Sequence, residues 1–523
     1  MKKYSIITMI ALAVFTFCRC SDDAYSEKYA DPSKVSTASV DKLMTGVLMA
    51  GRDYVTPNYW RFFARDNQDI GAIAQTWGMT VDAALYEGGY PPYADEGWTK
   101  FQQVLTQFKV LEKVYNELGD AEKTTFKPYY LVGKAFMYLT LLQTLDVWGD
   151  IPFSEAGLLP VTGEIVFPHL DDAKTLYTTL LDDLGTINDE LSGSGSISAS
   201  SDFINDGSAE KWIKLINSVR LRAAIRVSSQ GDLASKGEQI IKEILGNPAK
   251  YPVVTGSDDM IKLVNRREGD FNWSRLEGIT DWRECRLASK AMLDALTGDP
   301  RLPLIYDKVL GGPNKDKYVG VDTHDTEAIV SALINGTGVE GNTCQYSYVN
   351  ETSYRDNHNI EGYVVTPSEI GFYKAEAILK GLITGDAKAE FVKAIKESVD
   401  LYAKINANSD APDATIGRSP KVDMSAWNDA AIEAFAASKW QNNVQCIYEQ
   451  LWLHCGIISS LESWNTIRRT GFPALYYPTV NSVKYPTVPQ RYNIPQAEWT
   501  TNPNIENDVN AYQKVLFWAK KVE

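Results

Sequence analysis

Phe126-Lys-Pro-Tyr-Tyr-Leu-Val-Gly-Lys-Ala-Phe-Met-Tyr-Leu-Thr-Leu-Leu-Gln-Thr-Leu-Asp-Val-Trp148, closed by Gly149-Asp150-Ile151-Pro152, carries the pattern from which the fold is read. Leu131, Ala135, Tyr138, Leu142 and Leu145 recur at helical spacing along one face, and Val132, Phe136 and Leu139 widen it. An apolar band that broad predicts a helix buried on two sides. The stop is also written in the chain: Gly149 can take the left-handed cap, and Pro152 holds Ile151 extended.

Moving outward, the same period returns. Residues 171–191 place Ala173, Leu176, Tyr177, Leu180, Leu181, Leu184, Ile187 and Leu191 on one face behind Asp171 and Asp172, two candidate caps. Residues 209–228 follow, with Trp212, Leu215, Ile216, Val219 and Ala223 on one side. Thr366-Pro367-Ser368-Glu369 combines a capping box with proline at the first helical position, and a stop follows at Gly381. A second helix after Asp386 completes a hairpin, and further helices are predicted over about 440–458 and 461–469. The fold class is therefore mainly α: degenerate tetratricopeptide-like helix pairs forming a scaffold. Two loop-rich insertions, about 251–283 and 299–363, are the segments such a scaffold would present, the second with a β-type run at Gln345–Val349. Ser192–Ser201 is a short low-complexity surface loop.

At the N-terminus Lys2 and Lys3 precede an apolar run, Ser5 to Phe17, and then Cys18-Arg19-Cys20. The run is shorter than the roughly 20 residues a spanning helix needs, so residues 1–19 are expected to be an export signal. Residues 20–36 are polar and aperiodic, a flexible tether, with Cys20 the expected lipidation site ahead of Ser21-Asp22-Asp23. Residues 37–523 then form one globular unit, since no linker composition divides them. Loss of Lys2, Lys3 and Arg19 takes the net charge from −15 to −18, which excludes nucleic acid as an expected partner. Cys285, Cys344, Cys446 and Cys455 match no zinc or disulfide spacing and are read as buried thiols.

These segments together resemble the SusD/RagB family of outer-membrane nutrient-binding lipoproteins over nearly the whole mature chain. The landmarks run in the family's order: the Cys20-Ser-Asp-Asp start, Asp146-Val-Trp-Gly-Asp-Ile-Pro-Phe-Ser-Glu-Ala156, Trp212 to Arg222, Gly298-Asp-Pro-Arg-Leu302, Glu369 to Ala377, Trp464 with Arg468-Arg469-Thr-Gly-Phe-Pro473, and Arg491-Tyr-Asn-Ile-Pro495. The resemblance implies four tetratricopeptide-like pairs supporting a loop-rich ligand-binding region. It also implies a lipid-anchored place on the outer membrane facing the cell exterior. Finally, it implies a SusC-type TonB-dependent transporter as partner and an oligosaccharide, or in some branches a peptide, as ligand.

The landmark motifs read as scaffold, with Arg468 and Arg469 suited to a helix C-terminus. Sugar capture asks instead for exposed rings that stack on pyranose faces and for planar polar groups. The candidates are Trp77, Tyr86, Tyr90 and Tyr93 in a Gly/Pro-rich segment, then Trp273, Trp282 and Arg283, then Tyr346 and Tyr348 with Tyr354 and Asn357 beside them. No catalytic residues are assigned. Gly336-Thr-Gly338-Val-Glu-Gly341 matches a dinucleotide fingerprint but lies between a helix and an extended run, so it is a surface loop. The four histidines are isolated in sequence, and no hydrolase, zinc or phosphate-loop motif occurs. A glycoside hydrolase, needing only two carboxylates, is the least favoured alternative to peptide or glycan binding. No cofactor is expected; the Asp- and Asn-rich loops leave room for a structural calcium ion, but no EF-hand pattern names its ligands.

Overall fold

A computed structural model describes residues 39–67, 69–78, 92–260, 262–264, 287–411, 421–477 and 488–522. The export signal, Cys20 and the tether lie outside them. Among the described residues the first half is built on the longer helices α1 (Val40–Gly51), α2 (Pro92–Glu117), α3 (Asp120–Trp148), α4 (Ala173–Leu191), α5 (Ala209–Val227) and α6 (Ala234–Gly246). After a loop-rich stretch containing α7 (Glu327–Asn335) come α8 (Pro367–Leu379), α9 (Ala387–Ala407), α10 (Asp429–Ser438), α11 (Val444–Cys455) and α12 (Ser460–Thr470). Neighbours in sequence pack as neighbours in space: α2 on α3, α4 on α5, α5 on α6, α8 on α9 and α11 on α12. Short connections leave antiparallel packing as the way to bury each apolar face.

The opening stretch behaves as its period predicts. From Leu131 to Trp148 nearly every residue of α3 is buried, against α1 and α2 on one side and α4 on the other. Its stop does use Gly149 at positive φ, 79°, but with ψ −118° rather than the expected left-handed helical cap, and an added Cβ there would lie 2.6 Å from Arg491 Nη1. Asp172 is the cap of α4, accepting from the Thr175 amide at 2.8 Å. Asp171 instead accepts from the amides of Phe153 and Ser154, both at 2.9 Å, tying the Ile-Pro-Phe turn to the next helix.

Several expectations are adjusted. The capping box at α8 is only half built: Thr366 accepts from the Glu369 amide at 3.2 Å, but the Glu369 carboxylate is taken by Arg222. A buried guanidinium needs a counter-charge more than a helix start needs a second cap. The run Gln345–Val349 forms no strand, because its backbone groups are shared among Leu333, Val319, Ala288 and Tyr306, which lie on separate segments. The only sheet among the described residues pairs β1 (Lys262–Val264) antiparallel with β2 (Glu361–Tyr363). Gly336, the left-handed cap of α7, begins the loop holding Gly338 and Gly341, so the dinucleotide reading fails as expected. Cys344, Cys446 and Cys455 are buried free thiols.

Candidate functional site

Beneath the landmark motifs lies a buried ionic spine. Asp146, wholly enclosed on α3, accepts from Tyr177 of α4 and from Arg226 of α5, and Arg226 also pairs with Glu462 of α12. Arg222 donates to both Glu369 oxygens, at 2.6 and 2.7 Å. Arg468 lies flat against Trp464, 3.5 Å from the ring centroid, and donates to the Asp146 and Gln490 carbonyls. Arg469 makes two bonds to Glu376, at 2.6 and 2.9 Å. Arg468 and Arg469 do occupy the last turn of α12, as expected, and there they are buried and act as internal fasteners. Burial pushes Arg468 down to about 9. Burial alone would raise Glu376, but the charges of Arg469 and Lys380 prevail and bring it to about 2.

Residues 73–78 are stitched to four distant parts of the chain. Gly78 N donates to the Leu287 carbonyl at 2.8 Å, and Gln75 Nε2 to the Tyr476 carbonyl at 2.6 Å. Tyr477 donates to Ile73 O at 3.0 Å, Tyr306 to Thr76 O at 3.1 Å, and Trp452 Nε1 to Ala74 O at 2.9 Å. The segment following Gly78, which carries Tyr86 and Tyr90, and the segment preceding Leu287, which carries Trp273, Trp282 and Arg283, thus depart from adjoining backbone. Those five residues lie outside the described part.

Other ligand candidates are located and in part corrected. Trp77 is only 2% exposed, meeting Phe62 edge-on at 5.4 Å between ring centroids, so it is core. Tyr346 is likewise enclosed, with Leu287, Val321, Val330, Ile334 and Cys344, as are Tyr354 and Asn357. Each belongs to a loop that is itself covered by another segment. Tyr348 is half-buried at the Leu287 bridge. Tyr93 is in the first turn of α2 rather than in a loop, since Pro92 suits the first helical position and Asp95 the first turn.

One pair of exposed rings has no local signature in the sequence. His324 and Tyr476 stack with centroids 3.9 Å apart and planes 9° from parallel. Only the Asp322-x-His324 turn is locally visible; its partner ring comes from a remote segment. Two clefts are also present: one of about 400 Å³ lined by Gln102, Pro152, Glu155, Leu159 and Glu498, another of about 280 Å³ between Met260, Thr366, Glu397 and Lys404. Among the described residues neither is lined by an aromatic ring. Among the described residues no group of three or more His, Cys, Asp or Glu is placed to hold a metal ion.

A mainly helical scaffold fastened internally by arginine–carboxylate pairs is the class of protein that the described residues define. The chain belongs to the SusD-like family described as starch-binding and associating with the outer membrane, whose sequence model matches residues 34–495. Among solved structures, a chitin-binding protein shares 21% identity at a TM-score of 0.70, covering 92% of this chain and 100% of that one. A SusD homologue from Bacteroides fragilis shares 18% at 0.70, covering 92% and 100%. A SusD-like protein from Bacteroides thetaiotaomicron shares 18% at 0.65, covering 91% and 99%. At these identities the likeness establishes the fold. No curated protein matches the sequence.

Proposed function

We propose that this chain is a lipid-anchored cell-surface protein that binds nutrient oligosaccharides without cleaving them and delivers them to a SusC-type TonB-dependent outer-membrane transporter. The observation that carries this reading is the family match across residues 34–495. Support comes from the export signal and Cys20 ahead of an acidic tether, and from the aromatic content of the segments that leave the stitched patch. No described helix is long and apolar enough to cross a membrane. The chitin-binding neighbour makes β-linked N-acetylglucosamine oligomers a natural ligand to try beside starch oligomers.

The test is calorimetric titration of the mature chain, made without lipid, with maltoheptaose, chitohexaose and a mixed peptide pool, followed by recovery of the sugars. Saturable binding of an oligosaccharide that is recovered intact is the expected result, weakened by Tyr90→Ala and Tyr93→Ala. Binding of peptides alone would move the function to peptide capture. Shortened sugars would establish a hydrolase instead.

A further inference from the structure

We infer that His324 and Tyr476 form a saccharide-stacking subsite whose hydrogen-bonding edge is set by Asp322. The inference rests on the oligosaccharide reading and adds to it the residues that would hold one sugar ring. His324 has a 64% exposed side chain and Tyr476 is 49% exposed, although each covers one face of the other. Their exposure therefore belongs to the outer faces and the polar edges. A flat apolar face with a polar rim is the surface on which the C–H face of a pyranose packs while its hydroxyls reach the edge.

The pair is held in place before any ligand arrives. Asp322 Oδ1 accepts from the His324 amide at 2.9 Å and lies 2.8 Å from ring Nδ1. Tyr476 is fixed through its carbonyl by Gln75, a buried residue in the left-handed region at φ 52°, and through the next residue by the Tyr477–Ile73 bond. Immobilising both rings in advance lowers the ordering cost of binding. A carboxylate accepts only from a protonated nitrogen, so Asp322 fixes the hydrogen on Nδ1 and leaves Nε2 of the neutral ring as an acceptor for a sugar hydroxyl. Neither ring belongs to the ionic spine or the buried apolar core. Through the Gln75–Tyr476 bond and the Val321–Ala288 bond they adjoin the point where Gly78 meets Leu287.

Histidine footprinting with diethyl pyrocarbonate tests this with an internal control, because His169 is also exposed, at 68%, and His454 is enclosed. The mature chain is modified with and without maltoheptaose or chitohexaose. The expected result is that the sugar which binds slows modification of His324 several-fold and leaves His169 unchanged. His324→Ala and Tyr476→Ala should each weaken that sugar about 3- to 10-fold, with Tyr476→Phe close to wild type and all melting temperatures preserved. If the wild type binds a sugar while His324 is modified at the same rate and both alanine variants keep full affinity, the subsite is overturned and the capture reading stands. If the wild type binds neither sugar, the capture reading itself fails and the subsite with it.

Discussion

Burial, aided by the Arg301 charge, lowers the His454 imidazole to about 3. Its ring lies between two hydroxyls, Ser398 Oγ at 2.9 Å from Nδ1 and Thr366 Oγ1 at 2.6 Å from Nε2. Arg301 donates to Ser398 Oγ at 3.0 Å, which leaves the serine proton to point at Nδ1 and makes Nε2–H the donor to Thr366. A histidine lowered in the folded state contributes stability that is fully present above about 6.5 and is lost as pH falls toward 3, at a slope approaching about 1.4 kcal/mol per pH unit. Asp146 runs the other way, because burial raises it to about 6 and its protonation below that favours the folded chain. The difference between wild type and His454→Gln isolates the histidine. Urea unfolding at pH 7, 6 and 5 is expected to show that difference shrinking with each step; a constant difference would mean the ring is not held neutral. None of this is legible locally, since the two hydroxyls are 56 and 88 positions away.

Between helices, the arginine–carboxylate pairs decide how elements dock. Glu376 of α8 receives Arg469 of α12, Lys380 at 2.6 Å and Tyr448 of α11 at 3.1 Å, so one carboxylate joins three helices. Removing one partner of a buried pair leaves the other charge uncompensated. Arg469→Met is accordingly expected to lower unfolding stability by about 3–5 kcal/mol in guanidinium titrations, and a loss under about 1 kcal/mol would contradict the fastener role. The α8–α9 hairpin depends on contact rather than charge. A Cβ on Gly371 would sit 2.8 Å from the Ala394 Cβ, so Gly371→Val should force the helices apart at a cost of about 1–3 kcal/mol, read as a lower melting temperature. The helices themselves were visible as periodicity, and the caps Asp172 and Thr366 as polar residues ahead of it. Their docking partners were not, because an arginine on a helix does not announce which distant carboxylate it will meet.

For the whole molecule, the proposed membrane anchor is tested at Cys20. Cys20→Ser is expected to shift the protein from the membrane to the soluble fraction after cell fractionation, without changing the affinity of the mature chain for its ligand; retention would pass the anchor to Cys18. By itself the sequence determined the family, the helical class and the expected export, because periodicity, capping and short motifs such as Trp148-Gly-Asp-Ile-Pro152 are local and survive reading in one dimension. Only the tertiary structure decided which aromatic rings face water. Trp77 and Tyr346 looked as available as any loop residue, yet Phe62 covers one and the Leu287–Val321 cluster the other. His324 and Tyr476 looked unremarked and stand exposed together. The reason is physical: a ring's exposure depends on what packs over it, and in loops that covering comes from segments far away in the chain, whose approach no local pattern encodes.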